Sequence, residues 1–351
     1  MLGLKDLLVM TINRKASDLH ITVGLPPTLR IDGKLTRIQV EKLTPDDTKR
    51  YAQEILGEKY DEYFKKGEID ISYSAAGIGR FRVNVYKQRG SDAIALRAVS
   101  LKVPTIDELG LPKILKDLTN ERRGLILVTG PTGSGKSTTL AAMINEINNK
   151  RSEHIITLED PIEYLHKHNK SIINQREIGR DSGSYASALR ASLREDPDVI
   201  LIGEMRDLET ISIAVTAAET GHLVFSTLHT IGASKTIDRI VDVFPPFQQQ
   251  QIKVELADVL QGIISQQLMP RADNSGRIAA LEIMIITSAI RNLIREGKTY
   301  QIESLIQTGS KYGMKTMDMS LIELYRNGYI TNKTALDYSV ENNQVKRAVM
   351  F

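Results

Sequence analysis

The sequence contains no cysteine and no tryptophan, and aromatic residues make up only 5% of it. Without cysteine there are no disulfides, no thiolate nucleophile and no cysteine-held zinc or iron–sulfur centre, and a reducing, cytoplasmic setting fits. Few aromatics means few platforms on which unpaired bases could stack. An excess of one charge is missing too. The 46 Lys and Arg residues face 43 Asp and Glu, a net charge of +3. That balance argues against a broad nucleic-acid footprint, so no nucleic-acid partner is expected. No apolar run reaches the roughly 18 residues that a membrane-spanning helix needs, so any membrane role would pass through a partner or the surface. The opening residues Met1 to Asp6 place an acid early and show no cleavage-site pattern, so no signal peptide is expected.

What is present is ordinary for a soluble globular protein: 41% apolar and 25% charged residues over a length of 351. That length suggests two domains, each with its own core. Over residues 1–100 short strands alternate with helices. Leu4–Arg14 has a helical apolar period, and Asp18–Val23 and Pro27–Ile31 read as strands around a turn. Thr44-Pro-Asp-Asp opens a helix to Gly57, with Pro at the first helical position. Ile69–Tyr73, Gly79–Gln88 and Ala93–Val99 alternate apolar and polar residues as half-buried strands do. Residues 101–121 read as a linker that becomes a helix by Leu118. From residue 122 the texture is α/β. Gly124–Thr129, His154–Leu158, Val199–Ile202 and His222–Thr227 are apolar strands, separated by helices such as Ser184–Glu195 and Leu208–Thr220. This rhythm is that of a parallel sheet with crossover helices. After Phe247 the chain reads as mostly helical to its end.

Gly130-Pro131-Thr132-Gly133-Ser134-Gly135-Lys136-Ser137 fits the phosphate-binding pattern G-x-x-x-x-G-K-[ST] and lies between an expected strand and an expected helix. Gly130, Gly133 and Gly135 let backbone N–H groups turn inward around a phosphate, with Thr132, Ser134 and Thr138 beside them. Lys136 can reach the β- and γ-phosphates, the Ser137 hydroxyl can ligate Mg²⁺, and the helix N-terminus adds positive potential. The expected cofactors are ATP and Mg²⁺. Binding alone is not hydrolysis, which needs an acid to hold the metal and a group to orient water. Glu159-Asp160-Pro161-Ile162-Glu163 and Gly203-Glu204 each follow a strand, at the end where ligands of open α/β sheets sit. Glu163 and Glu204 are therefore candidates, against the plainer reading of solvated loop carboxylates. His222 and His229 flank the next strand. Their offset points them to opposite faces, which excludes a shared zinc. Each can sense a phosphate, or simply pack or cap.

Four segments together resemble the secretion-ATPase superfamily of type II and type IV systems: GPTGSGKSTT at 130–139, TLEDPIEY at 157–164, DVILIGEMRD at 198–207 and TGHLVFSTLHT at 220–230. The resemblance covers essentially the whole chain. AIRNLIRE at 289–296 is similar to a C-terminal motif of the pilus-retraction branch. SDLHITVG at 17–24 and GRFRVNVYKQRG at 79–90 are similar to that branch's PAS-like domain. Assembly ATPases of the superfamily typically add a long N-terminal domain and a four-cysteine zinc module, and neither is expected here. The resemblance implies a RecA-like P-loop core over residues 122–351 with a helical C-terminal part, behind a small α+β, PAS-like domain. It implies a hexameric motor that couples ATP hydrolysis to type IV pilus retraction and twitching motility. The implied partners are further copies of the chain and an inner-membrane platform protein, at the cytoplasmic face of the membrane. It also implies roles: Glu163 polarises the attacking water, Glu204 is the metal-side acid, and His229 sits near the γ-phosphate.

Ring ATPases often complete a site with a neighbour's arginine. Arg80 and Arg82, two apart on one strand face, are candidates beside an ordinary charged-surface reading, with Arg194, Arg206 and Arg239 competing. As a helix, AIRNLIRE puts Ile290, Leu293 and Ile294 on one face and Arg291 and Arg295 mostly elsewhere, where exposure is expected. It is either a core helix with a wet face or an element that couples nucleotide state to a partner. Rival functions are a pilus or type II secretion assembly motor and a nucleic-acid translocase on the same core.

Overall fold

The chain folds into two units in a computed structural model that describes residues 2–31, 33–99 and 102–350. One unit is Met1–Lys102 together with Glu163–Leu165. The other is Val103–Ile162 with His166–Phe351.

The first unit carries α1 (Leu4–Asn13), β1 (Asp18–Ile21), β2 (Thr28–Ile31), β3 (Lys34–Arg37), α2 (Pro45–Leu56), α3 (Tyr60–Lys66), β4 (Glu68–Ala75), β5 (Gly79–Gln88) and β6 (Ser91–Ala98). The strands form one antiparallel sheet in the order β3-β2-β1-β6-β5-β4. Helix α2 starts where its chemistry says it should. Thr44 accepts from Asp47 N at 3.3 Å, Asp47 Oδ2 accepts from Thr44 N at 2.8 Å, and Pro45 takes the first position. Alternate residues of β5, Phe81, Val83 and Val85, enter a core with Leu7 and Leu8 of α1 and Tyr51 of α2. Arg80 and Arg82 take the other side of that strand.

The second unit begins with α4 (Ile114–Leu118), β7 (Gly124–Thr129), α5 (Lys136–Lys150), β8 (His154–Glu159), β9 (Ile172–Glu177), α6 (Tyr185–Ser192), β10 (Val199–Ile202), α7 (Leu208–Glu219), β11 (Leu223–Leu228), α8 (Ala233–Asp242) and α9 (Pro246–Val259). It continues with β12 (Leu260–Pro270), β13 (Arg277–Ile285), α10 (Ser288–Glu296), α11 (Ile302–Thr308), α12 (Met317–Arg326), α13 (Asn332–Asp337) and α14 (Asn342–Met350). The sheet order is β13-β12-β7-β11-β10-β8-β9, parallel except for β13. Central strand β7 is buried on both faces: Leu125 and Leu127 pack toward α7 and α8, Ile126 and Val128 toward α5. This is the mixed α/β fold, with a parallel sheet, of a RecA-like core.

Three features go beyond the expectations. The stretch after Phe247 is mostly helical as expected, but β12 and β13 within it add a long hairpin to the sheet. A strand buried on both faces reads as an apolar run, and periodicity cannot separate it from a buried helix. The expected linker does become a helix, α4, but it is no loose connection, since Ile106, Leu111, Leu115 and Leu118 enter the core beside α5. Polar β9 was not anticipated. It pairs with β8 at the sheet edge, where pairing rather than burial makes the strand.

Candidate active site

The site grows from the carboxyl ends of three adjacent parallel strands, β7, β11 and β10. After β7 the chain turns through Gly130 at φ 140°, a backbone geometry that L side chains avoid. Helix α5 then opens at Lys136 behind Gly135, whose φ of 88° offers no side-chain cap. Its first N–H groups are thus left for a ligand rather than a capping residue. Ser134 Oγ is buried in the same loop and has no hydrogen-bond partner among the described residues. An uncapped helix start and a lone buried hydroxyl fit a phosphate. Thr132, Gly133 and Ser137 are exposed, and Thr138 is half-buried.

Lys136 is 8% exposed. Its Nζ donates to Gly130 O at 2.8 Å and Pro131 O at 3.1 Å, and faces His229 Nδ1 at 3.4 Å. Burial pulls the ammonium below the usual lysine range, and the Glu204 carboxylate pulls it partly back. An ammonium facing Nδ1 requires that nitrogen to accept, so His229 carries its proton on Nε2. Nε2 in turn donates to Glu204 Oε1 at 3.2 Å. Arg206 Nε donates to the same oxygen. Three of the sequence candidates thus meet as Lys136–His229–Glu204. A cavity of about 320 Å³ lies beside them, lined among others by Glu204, Arg206, His229, Thr230 and Arg239.

Other candidates lie elsewhere. Glu163 groups with the first unit, where Arg82 Nη1 approaches its Oε1 at 3.3 Å. Arg82 therefore already holds an acid of its own chain. Arg80 is half-buried, and its Nη1 donates to Ser74 Oγ at 3.4 Å. His222 caps α7, with Nδ1 at 2.9 Å from Ala217 O, which is the plainer of its two readings. In α10, Ile290 and Ile294 are buried and Leu293 is half-buried. The two arginines of that helix correct an expectation, since neither is a free surface group. Arg291 Nη1 donates to Ala257 O at 2.6 Å and Asp258 O at 2.9 Å, and Arg295 Nη2 donates to Asp258 Oδ1. Together they close the C-terminus of α9, where cations complement the helix dipole.

Sequence reasoning missed two groups near the site. A Cβ on Gly203 would lie 2.7 Å from the Tyr185 hydroxyl, so the glycine before Glu204 makes room for that phenol. Burial pushes the phenol's pKa up, and the Asp160, Glu204 and Glu159 carboxylates push it further. Gln266 of β12 bonds to the phosphate loop. The glycine ahead of the acid was a visible signal for the first group. Nothing local marks the second.

The family model for type II/IV secretion system proteins matches residues 65–335. The type IV pilus retraction ATPase PilT of Pseudomonas aeruginosa is 49% identical over 335 residues, covering 95% of this chain and 97% of that one. A twitching motility protein of Neisseria gonorrhoeae is 47% identical over 310 residues, 88% of this chain and 83% of its own. A crystal structure of the pilus retraction motor PilT with bound ADP superposes with a TM-score of 0.92 at 50% identity, covering 99% of this chain and 100% of that one.

Proposed function

We infer the function from one premise: the chain belongs to the family of type II/IV secretion system proteins. It is an ATPase that drives type IV pilus retraction, and thereby twitching motility. The observation that carries the reading is the Lys136–His229–Glu204 contact chain, built on three parallel strand ends beside an uncapped helix start. Near-full-length similarity to proteins named for retraction and twitching supports the pilus as the load.

In this reading ATP lies along the loop 130–138, with Lys136 against its terminal phosphates. Ser137 and Glu204 offer the hard oxygen donors that Mg²⁺ prefers, and the ion would neutralise charge on the phosphates. Exposed Ser137 and a carboxylate at the next strand end but one suit that role. His229 links the phosphate side of the site to Glu204 and can report whether the γ-phosphate is present. Glu163, whose carboxylate Arg82 holds in this chain, orients the attacking water. The working form is a homohexameric ring in which Arg80 and Arg82 serve a neighbouring subunit's site. Helix α10, through Arg291, Leu293, Ile294 and Arg295, couples the site to the rest of the ring. No helix among the described residues is long and apolar enough to cross a membrane. The membrane-side partner in this reading is an inner-membrane platform protein.

The test has two readouts. The purified protein should hydrolyse ATP only with Mg²⁺, and its gene should restore twitching to a bacterium without its own retraction motor. ATP turnover with restored pilus assembly but no retraction would replace this reading with that of an assembly motor.

A further inference from the structure

Strand β12 lies between β13 and β7. Two consecutive polar residues sit in its buried stretch, Ser265 at 0% and Gln266 at 3% exposure. Buried polar groups are costly unless bonded, so their partners tell what they are for. Neighbouring strand residues point to opposite faces, and these two do. Gln266 faces α5. Its Oε1 accepts from Thr139 Oγ1 at 2.7 Å and its Nε2 donates to Ser134 O at 2.7 Å. One side-chain amide thus ties the phosphate loop to the first turn of the helix it opens. The backbone fits as closely: a Cβ on Gly130 would stand 2.1 Å from Gln266 O, and one on Gly135 2.8 Å from Gln266 Nε2. Both glycines are needed for contact with this residue as well as for their φ angles.

Ser265 faces the other way. Its Oγ accepts from Gly232 N at 2.9 Å. Its cross-strand partner Glu282 accepts from Ala233 N at 2.6 Å. Gly232 and Ala233 begin α8, directly after the loop that carries His229. The two loops held from opposite faces of β12 are those whose side chains, Lys136 and His229, meet at 3.4 Å.

We propose that Gln266 and Ser265 are positioning residues of the nucleotide site: β12 grips the phosphate loop on one face and the His229 loop on the other, and so sets the spacing between them. This rests on the nucleotide-site reading above. Gln266 acts through the loop's shape and governs affinity. Ser265 acts through His229 and governs turnover.

Binding of a fluorescent ADP analogue with Mg²⁺ tests the first half, and ATP turnover measured beside it tests the second. Absence of binding by the wild type would remove the nucleotide reading, and this inference with it. Given wild-type binding that Lys136→Ala abolishes, Gln266→Leu should weaken affinity about tenfold or more, since it strands two buried hydrogen-bonding groups. Gln266→Glu keeps an acceptor for Thr139 but sets a carboxylate against the Ser134 carbonyl. Protonation restores a donor there, so its affinity should recover from about pH 8 to about pH 6 relative to wild type. Ser265→Ala should lower kcat with little change in ADP affinity. A Gln266→Leu protein with a lower melting temperature but unchanged affinity would show a merely structural residue and overturn the proposal. If that variant does not fold, Gln266→Glu decides: wild-type affinity at every pH overturns it. Unchanged turnover in Ser265→Ala overturns the second half.

Discussion

Single side chains carry the chemistry, and their partners say what removing them does. Lys136 is the buried cation of the phosphate loop, held on two carbonyls and aimed at His229. Lys136→Ala should cut ATP turnover by about 100-fold or more, read in a steady-state phosphate-release assay, because it removes the charge that the proposed site sets against the terminal phosphates. Glu204 is a junction whose one oxygen accepts from both His229 and Arg206. Glu204→Gln keeps the shape but removes the charge. It should leave nucleotide binding nearly intact and lower kcat by about 100-fold. Away from the site, burial pushes the His166 imidazole down to about 4 from its ordinary 6.5, and its Nδ1 has no partner among the described residues. Between those values the unfolded chain holds a proton that the folded chain refuses. Stability contributed by His166 is therefore complete above the ordinary value and falls as the pH drops toward the lower one. Melting temperatures across that window should decline less steeply for His166→Gln than for the wild type.

Among the elements, α10 departs most from its sequence-level description. Its apolar stripe reads correctly, with Ile290 and Ile294 buried. Its polar stripe does not, since Arg291 is half-buried and donates to two carbonyls at the end of α9. A substitution there is not a neutral surface change. Arg291→Ala should lose about 1–2 kcal/mol of stability in urea unfolding, because the Ala257 and Asp258 carbonyls lose their donor. Arg295→Ala, which breaks a more exposed pair with Asp258, should lose less. A coupling role for this helix then has to be tested with Arg295→Ala, where lost twitching with intact hydrolysis is not confounded by unfolding.

For the molecule as a whole, the proposal to test is assembly into a ring. A heterologous interface that closes gives a ring and lets one subunit's arginine reach the next subunit's phosphate. Doping Lys136→Ala subunits into wild-type protein should therefore depress ATP turnover more than in proportion to their fraction. A strictly proportional decline would mean that each chain works alone, and the ring proposal would fall. Arg82 is the arginine to examine first, because its present partner is Glu163 of its own chain.

The glycine-rich loop, four of the five central parallel strands and the start of α2 were all readable from residue order. Each depends on groups close together in the chain: glycines that free the backbone at Gly130 and Gly135, Thr44 and Asp47 closing a helix turn, alternation along β5. The Lys136–His229–Glu204 contact, by contrast, became visible only once β7, β11 and β10 lay side by side. β12 was misread because a two-faced buried strand has no period of its own, and so Gln266 was missed. Its partners Thr139 and Ser134 are 127 and 132 positions away. The exposure of Arg291 was misjudged for the same cause, since the carbonyls that hold it belong to another element. Local backbone geometry is written in neighbouring residues. Which buried polar group meets which is decided by packing, where distant segments must satisfy one another's hydrogen bonds out of reach of water.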